Sequence, residues 1–269
     1  MYRTRNLTVF CASIAVLLGS FAGGITAQEP GDSANAKLRI VAYNIKHGRG
    51  MDGQVDLERA ANLISKWKPD LVALQEIDRE TERSGNVDQT KRLAKMTGLH
   101  GSFGPFFDYQ GGQYGMAILS RKKPIRTTNH LLPAGREPRS ALAIEVVPVA
   151  NGPEIIFVGI HFYATEEERL AQAKRLLELL KNEERPVILA GDFNSQPASR
   201  VLGLFGSEWT VPDKGEDHFT FPSDEPRTEI DFILFRGLKN WTVQRIDVLD
   251  EPLVSDHRPV VLDLIPSRQ

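Results

Sequence analysis

The sequence predicts an α/β fold in which mixed β-sheets carry helices on their outer faces. Two amphipathic helical segments each lead directly into an apolar strand, and further apolar runs follow one another through short turns. Strand–helix–strand units produce parallel neighbours, whereas strands joined by short turns pair antiparallel, so both arrangements are expected. The 269 residues, 41% of them hydrophobic, are enough to bury the core of such a domain.

The first half of the domain begins with a strand and a helix. Residues 38–45 form an apolar run, and the segment at about 56–67 repeats apolar residues at helical spacing. Asp56 is placed to cap the N-terminus of this helix, and Pro69 ends it. The next strand is predicted to start at Leu71.

A second amphipathic helix is predicted at about 166–182. Thr165 and Glu168 have the spacing of a capping box at its start. It leads into a buried strand at 186–190. The remaining predicted strands are 114–121, 141–149, 154–162, 228–236, 242–249 and 258–264. No internal stretch has the composition of an interdomain linker, so residues 37–269 are expected to form one domain.

The N-terminal segment, residues 1–27, is predicted to be a secretory signal peptide. Two arginines precede an apolar run, and small residues lead to a cleavage position after Ala27. A membrane anchor is the alternative, but the apolar run is short and interrupted by glycine. Residues 28–36 would form a linker, and the mature protein would be secreted or periplasmic without a stable membrane anchor.

Charge and cysteine content restrict the classes of function. The single cysteine, Cys11, lies in the leader, so the mature chain would have no disulfide and no thiolate site. Loss of residues 1–27 leaves 31 basic and 35 acidic residues, a formal net charge of −4. General attraction to polyanions is therefore not expected. Nucleic acid binding would require a local basic patch, and the sequence shows no dense Lys/Arg cluster.

Polar side chains occur where several apolar runs end. They include the sequence 191–194, which follows a buried strand and contains a carboxylate and a carboxamide. The residues at or after the ends of runs are Asn44, His47, Glu76, His161, Asp192 and Asn194, and Asp256 and His257 precede the last predicted strand. Each could instead be a cap, a surface acid or a structural histidine. Asp231 differs because it lies inside an apolar run, where a carboxylate needs a partner, and a histidine is expected.

These segments together resemble the endonuclease/exonuclease/phosphatase family. The similar segments, in chain order, are 42–45, 74–76, 114–120, His161, 191–194, 230–233 and the Ser-Asp-His-Arg-Pro sequence at 255–259. They span nearly the whole mature chain. The resemblance implies the DNase I-like fold, a four-layer α/β/β/α sandwich of two mixed β-sheets with helices outside.

The same resemblance implies a division of roles among the polar residues. The metal site would comprise Asn44, Glu76 and Asp256, binding Mg²⁺ with Mn²⁺ as a substitute; oxygen donors without thiols suit such ions. The catalytic set would comprise His161, Asp192, Asn194, Asp231 and His257. Asp231 would orient His257, and either Asp192 or His257 could be the base, a choice that stays open.

The substrate is the least determined feature. Arg79, Arg83 and Arg139 are candidate phosphate-binding residues, with solvated charged loops as the alternative. Glu229 stands where many relatives have a basic residue. The leading expectation is an exported metal-dependent phosphodiesterase, either a nuclease or a phospholipase C/sphingomyelinase-like enzyme. Alternatives are a phosphomonoesterase acting on sugar or inositol phosphates and a catalytically silent phosphate-binding module; no protein partner is predicted.

Overall fold

The computed structural model describes residues 1–2 and 37–267. The predicted cleavage position after Ala27 and the linker 28–36 lie outside the described residues, as does the signal peptide apart from its first two residues. Among the helices of the described part, none has the length and apolar character needed to cross a membrane. The signal peptide and the boundary at residue 37 stay predictions.

The first sheet has six strands in the order β10-β11-β1-β2-β4-β3. Its strands are β1 Leu38–Asn44, β2 Leu71–Arg79, β3 His100–Tyr109, β4 Gly112–Ser120, β10 Trp241–Val248 and β11 Val260–Pro266. Only the central β1–β2 pair is parallel, and the other neighbours are antiparallel. The sheet is therefore mixed, as the sequence predicts.

The second sheet has five strands in the order β5-β6-β7-β8-β9. Its strands are β5 Arg126–Leu131, β6 Ser140–Val146, β7 Ile155–His161, β8 Val187–Asp192 and β9 Asp231–Arg236. The β7–β8 pair is parallel and the rest are antiparallel. Each sheet thus contains one parallel pair produced by a strand–helix–strand unit.

The helices cover the outer faces of both sheets. They are α1 Leu57–Trp67, α2 Gln89–Thr97, α3 Glu166–Leu180 and α4 Arg200–Gly203. Apolar side chains from both sheets meet in a central core, including Ile40 and Phe157. A second core joins α3 and α4 to one sheet, and a third joins α1 and α2 to the other. The predicted four-layer α/β/β/α sandwich is confirmed.

Local sequence signals account for the two predicted helices with one exception. The Asp56 side chain accepts a hydrogen bond from the backbone N–H of Glu58 at 2.9 Å, so the predicted cap of α1 is confirmed. The predicted capping box of α3 is wrong. Glu168 accepts bonds from the Thr165 hydroxyl and the Arg136 backbone N–H, so it ties the 132–139 loop to the helix.

The parallel pairs bring the site residues to one edge of the sandwich. The C-terminal ends of β1 and β2 place Asn44 beside Gln75 in register. The C-terminal ends of β7 and β8 pair His161 with Asp192, and Asp192 also pairs with Asp231 at the start of β9. Parallel strands end on the same edge, so polar residues that follow them gather there.

Candidate active site

Asp231 and His257 form a buried pair at this edge. His257 Nδ1 lies 2.9 Å from Asp231 Oδ2, and both side chains are almost completely buried. The Phe221 ring packs against the imidazole with centroids 4.9 Å apart. The Thr220 hydroxyl accepts bonds from the backbone N–H groups of residues 230 and 231. The expected histidine partner of Asp231 is therefore confirmed, and the 211–228 loop supports it.

The charge of this pair follows from its surroundings. Burial alone would lower the pKa of His257, but the Asp231 charge and hydrogen bond outweigh burial and, with Asp192, raise the pKa to about 10. The imidazole is therefore protonated at neutral pH. A charged imidazolium is suited to stabilise negative charge or to donate a proton, and poorly suited to act as a base.

Asp192 lies between the two histidines. Its Oδ2 is 3.5 Å from His161 Nε2 and 3.8 Å from His257 Nε2, and its Oδ1 accepts the backbone N–H of Asn194 at 2.8 Å. Burial, together with the charge of Asp231, raises the pKa of Asp192 to about 7. This carboxyl group is therefore placed and tuned to exchange a proton near neutral pH.

The backbone at the end of β8 requires particular residues. Gly191 has φ +146°, and a Cβ there would lie 2.1 Å from the carbonyl oxygen of Ile160. Asn194 has φ 48°, and its Nδ2 donates to the Phe162 carbonyl oxygen at 2.9 Å. Asparagine tolerates this left-handed conformation better than most residues. The Gly-Asp-Phe-Asn sequence thus builds a tight turn that holds Asp192 in place.

His161 ends β7 and is buried beside Phe106, with ring centroids 6.3 Å apart. Burial, and then the positive charges of Arg139 and His257, lower its pKa well below the ordinary value. Its Nδ1 has no hydrogen-bond partner among the described residues. His161 is thus uncharged at neutral pH, and its imidazole can donate or accept a hydrogen bond with a ligand.

Asn44, Glu76 and Asp256 lie next to this set. Asn44 Nδ2 is 3.2 Å from Glu76 Oε1 and 3.4 Å from Asp192 Oδ2, so the amide joins both groups. Glu76 has φ 58° and lies at an irregularity in the β2–β4 pairing between Leu74 and Ile77. Such bulges re-aim side chains, and here the bulge directs Glu76 toward the site edge.

The donor set fits a hard divalent cation. Burial raises the pKa of Glu76, and the nearby charge of Asp256 raises it further. Asp192, Asp231 and His257 also place potential ligand atoms within 4.8 Å of one another, although His257 already binds Asp231. The negatively charged carboxylates of the site repel one another, and a bound divalent ion would relieve that repulsion. Oxygen donors are the ligands that Mg²⁺ prefers. Glu76 and Asp256 would hold it through carboxylate oxygens, and Asn44 would do so through Oδ1, the atom that here accepts the Lys46 backbone N–H.

Lys46 is a residue at this site that the sequence interpretation missed. Its Nζ lies 2.6 Å from Asp256 Oδ2. The two residues are 210 positions apart, so no local pattern links them. The one available signal was its position two residues after Asn44.

The three candidate arginines differ in their surroundings. Arg83 donates two bonds of 2.8 Å to the buried Asp78, so its guanidinium is engaged in an internal ion pair. Arg79 binds the Gln113 side chain and lines a cavity of about 710 Å³ at the β3–β4 hairpin. Their roles in binding phosphate stay predictions. The observed contacts of Arg83 are those of an internal ion pair.

Arg139 is the candidate arginine whose charge acts on a residue of the catalytic set, because it lowers the pKa of His161. Its side chain is only 6% exposed and its guanidinium carbon lies 4.9 Å from the Phe106 ring, 5.2 Å from the Tyr163 ring and 5.8 Å from the Tyr114 ring. Its Nη1 is 2.9 Å from Glu137 Oε2, and its Nε has no partner among the described residues. Three aromatic rings thus surround a buried cation.

Glu229, where the sequence departs from the family pattern, pairs with a buried lysine. Lys214 Nζ lies 2.5 Å from Glu229 Oε1 and 3.9 Å from the centre of the Phe232 ring. The Lys214 side chain is 1% exposed. Glu229 is thus engaged in a largely buried ion pair with a lysine of the 211–228 loop.

The comparison with family models covers the part of the chain that contains this site. The model of the endonuclease/exonuclease/phosphatase family matches residues 41–257, which include every residue of the catalytic and metal sets. The chain belongs to this family. Its members are in general phosphoester hydrolases, and they typically use a divalent metal.

Two relatives illustrate the similarity. A UPF0294 protein of Yersinia pseudotuberculosis is 31% identical over 260 residues, covering 90% of this chain and 89% of that protein. A UPF0294 protein of Vibrio campbellii is 29% identical over 169 residues; that alignment covers 58% of this chain and only 56% of the relative.

Solved structures share the fold. An endonuclease/exonuclease/phosphatase protein of Beutenbergia cavernae has a TM-score of 0.70 and 22% identity, covering 86% of this chain and 72% of that chain. A mannosyl-6-phosphatase of Bacteroides thetaiotaomicron has a TM-score of 0.65 and 20% identity, covering 85% and 99%. At these identities the similarity shows the fold alone.

Proposed function

We propose that this protein is an exported hydrolase of phosphate esters that depends on a divalent metal, and that its main activity is phosphodiester cleavage. The observation that carries the proposal is the convergence of a protonated His257, an Asp192 of raised pKa and a neutral His161 around one point at the edge of the sandwich. A binding module has no need for three groups tuned to different protonation states.

Each residue has a distinct task in this proposal. Asp192, with its raised pKa, takes the proton of the attacking water as the water oxygen bonds to phosphorus and the P–O bond to the leaving alcohol breaks. His257 stabilises the negative charge that develops on the phosphoryl group, and the leaving oxygen takes a proton from solvent. Asp231 keeps the imidazole oriented and charged. His161 and Asn194 bind phosphoryl oxygens. A bound Mg²⁺ or Mn²⁺, held by Glu76, Asn44 and Asp256, would supply Lewis acidity.

A phosphomonoesterase acting on sugar or inositol phosphates is the second candidate function. Arg139 provides an additional buried cation next to His161, and a dianionic monoester would benefit more from it than a monoanionic diester. One structural neighbour is named a mannosyl-6-phosphatase. The identity of the leaving group therefore separates the two candidates.

The first experiment compares bis-p-nitrophenyl phosphate with p-nitrophenyl phosphate, using Mg²⁺ or Mn²⁺ and an EDTA control. Asp192→Asn and His257→Ala should each lose at least about 100-fold in kcat while remaining folded by circular dichroism. His130→Ala, in edge strand β5, is the matched control and should keep wild-type activity. Normal turnover in either folded site variant would refute the assigned roles.

The substrate comparison also distinguishes the alternatives. Preference for the diester supports the main proposal, and preference for the monoester supports the second candidate. Failure to cleave either ester, in protein that binds inorganic phosphate, would favour the silent binding module.

Export rests on residues 1–27 and is tested separately. Protein recovered from the periplasm or the medium should have the intact mass of a chain that begins at Gln28. A full-length mass in the membrane fraction would favour the uncleaved anchor instead.

A further inference from the structure

The Lys46–Asp256 ion pair engages one of the carboxylates proposed to hold the metal. Lys46 Nζ is 2.6 Å from Asp256 Oδ2, and the side chains are 35% and 21% exposed. A partly exposed ion pair contributes little to folding stability. The pair matters because it involves Asp256, a proposed metal ligand. An ammonium group and a divalent cation both bind carboxylate oxygens, so they would compete for this one.

The backbone around Lys46 fixes the direction of this side chain. Lys46, His47 and Gly48 have φ values of 47°, 45° and 79°, three successive residues in the left-handed region. Residues other than glycine adopt that conformation at a cost, so the surrounding contacts must impose it. The position of Lys46 is thus built into the fold.

Hydrogen bonds on both sides of the turn impose this conformation. The backbone N–H of Lys46 donates to Asn44 Oδ1 at 3.1 Å, and that of Gly48 donates to the Ile45 carbonyl oxygen at 2.8 Å. Gln89 Nε2 donates to the His47 carbonyl oxygen at 2.8 Å. Asn44 therefore contacts Glu76 through its amide nitrogen and orients Lys46 through its oxygen.

The second carboxylate oxygen of Asp256 has a weaker partner. The Ser255 hydroxyl lies 3.4 Å from Oδ1, whereas the ammonium lies against Oδ2. The charge of Asp256 reaches Glu76, since it contributes to the raised pKa of that carboxyl group. Lys46 therefore neutralises a carboxylate whose charge is felt at the proposed metal ligand.

We infer that Lys46 competes with the divalent ion for Asp256 and thereby sets how tightly the ion binds. The inference rests on the proposed metal site of Glu76, Asn44 and Asp256. An ion that recruits Asp256 must displace the ammonium, and an ion that does not is held by Glu76 and Asn44 alone. Either way, the lysine weakens ion binding relative to the oxygen donors by themselves.

Titration with Mn²⁺, followed by the electron paramagnetic resonance signal of the free ion, tests this without measuring activity. Lys46→Met should bind Mn²⁺ about tenfold more tightly than the wild-type protein. In an Asp256→Asn background, the same lysine substitution should change the dissociation constant by less than about threefold, because the contested carboxylate is gone. Lys46→Gln provides a second variant if Lys46→Met does not fold.

The matched control is Lys91→Met, which removes a lysine from another aspartate pair, Lys91–Asp88 at 3.0 Å at the N-terminal end of helix α2. It should leave Mn²⁺ affinity unchanged. Unaltered or weaker binding in Lys46→Met would overturn the inference. Equal tightening in the presence and absence of the Asp256 carboxylate would also overturn it, because that result indicates a general charge effect.

Glu76→Gln separates failure of this inference from failure of the metal site. If Glu76→Gln abolishes Mn²⁺ binding and Lys46→Met does not tighten it, only the competition is wrong. If Glu76→Gln binds Mn²⁺ as the wild type does, the proposed metal site is wrong and the competition falls with it.

Discussion

Replacing Asp231 with asparagine isolates the electrostatic contribution of the buried pair. The substitution keeps the size and planarity of the side chain but removes the charge 2.9 Å from His257 Nδ1. Asp231 is fully buried, and its Oδ1 has no hydrogen-bond partner among the described residues. The carboxylate therefore acts on His257 through its charge and its single Oδ2 hydrogen bond.

The expected size of the effect follows from the pKa of His257. Burial favours the neutral imidazole, and the Asp231 charge overrides burial to raise the pKa to about 10. Without that charge and hydrogen bond, burial is opposed only by the charges of Asp192 and Asp256, so the pKa should fall well below 10 toward the ordinary 6.5, and most of the imidazole would be neutral at pH 8. Losing the imidazolium should lower kcat by about 10² to 10⁴, or about 3–5 kcal/mol in transition-state free energy.

The pH dependence provides the decisive signature. In Asp231→Asn the deficit in kcat should shrink as the pH falls from 8 to 5, because the imidazole regains its proton. Asp263→Asn, which removes a buried carboxylate paired with Arg39 far along β11, is the control. A folded variant with kcat within tenfold of wild type would refute the argument. A deficit that is constant with pH would assign Asp231 a purely structural role.

The Asp231–His257 pair should make the folded protein less stable at alkaline pH. A folded-state pKa above the unfolded value means that the stabilisation is fully present below about pH 6.5. It is lost as the pH rises through about 10. Urea unfolding should show this loss in the wild type and much less of it in Asp231→Asn.

Three further predictions concern packing, acid stability and substrate affinity. Phe193→Ala should lower the free energy of urea unfolding by about 3–5 kcal/mol, because its fully buried ring packs at 5.5–5.7 Å from three other phenylalanine rings. Burial would raise the pKa of Asp263, but the Arg39 hydrogen bond and charge lower it. The ionised carboxylate therefore stabilises the folded state above about pH 3.9, and this contribution is lost as the pH falls through the lowered pKa. Asp263→Asn should therefore show a flatter decline in unfolding free energy from pH 5 to pH 2. Arg139→Met should raise KM for phosphate esters about tenfold, because the buried guanidinium beside His161 is lost.

Each of these has a contradicting result. A cost below about 1 kcal/mol for Phe193→Ala would mean that the aromatic cluster repacks without a cavity. If the unfolding free energy of Asp263→Asn declines from pH 5 to pH 2 as steeply as that of the wild type, Asp263 does not contribute to acid unfolding. An equal rise in KM for Arg136→Met, an exposed arginine of the same loop, would reduce the Arg139 effect to general charge.

Elements with strong local patterns could be predicted from the sequence. Helices α1 and α3 and most inner strands have apolar residues at the spacing that their burial requires. Helix α2 was missed because it is short and polar, with Leu93 as its one fully buried apolar residue. Strand β3 was missed because Gly104 and Pro105 interrupt it, and β5 because this edge strand is largely exposed.

The order of polar groups after the strands can be read along the chain, and it indicates both the family and the candidate site residues. The contacts of each group depend on the folded structure. Asn44 meets Asp192 across 148 positions and Lys46 meets Asp256 across 210, while Arg83 turns to the buried Asp78. Local patterns record which face of a strand or helix is buried. Partners that distant in the chain are set by sheet order and loop path, so the charge states of the site emerge only after folding.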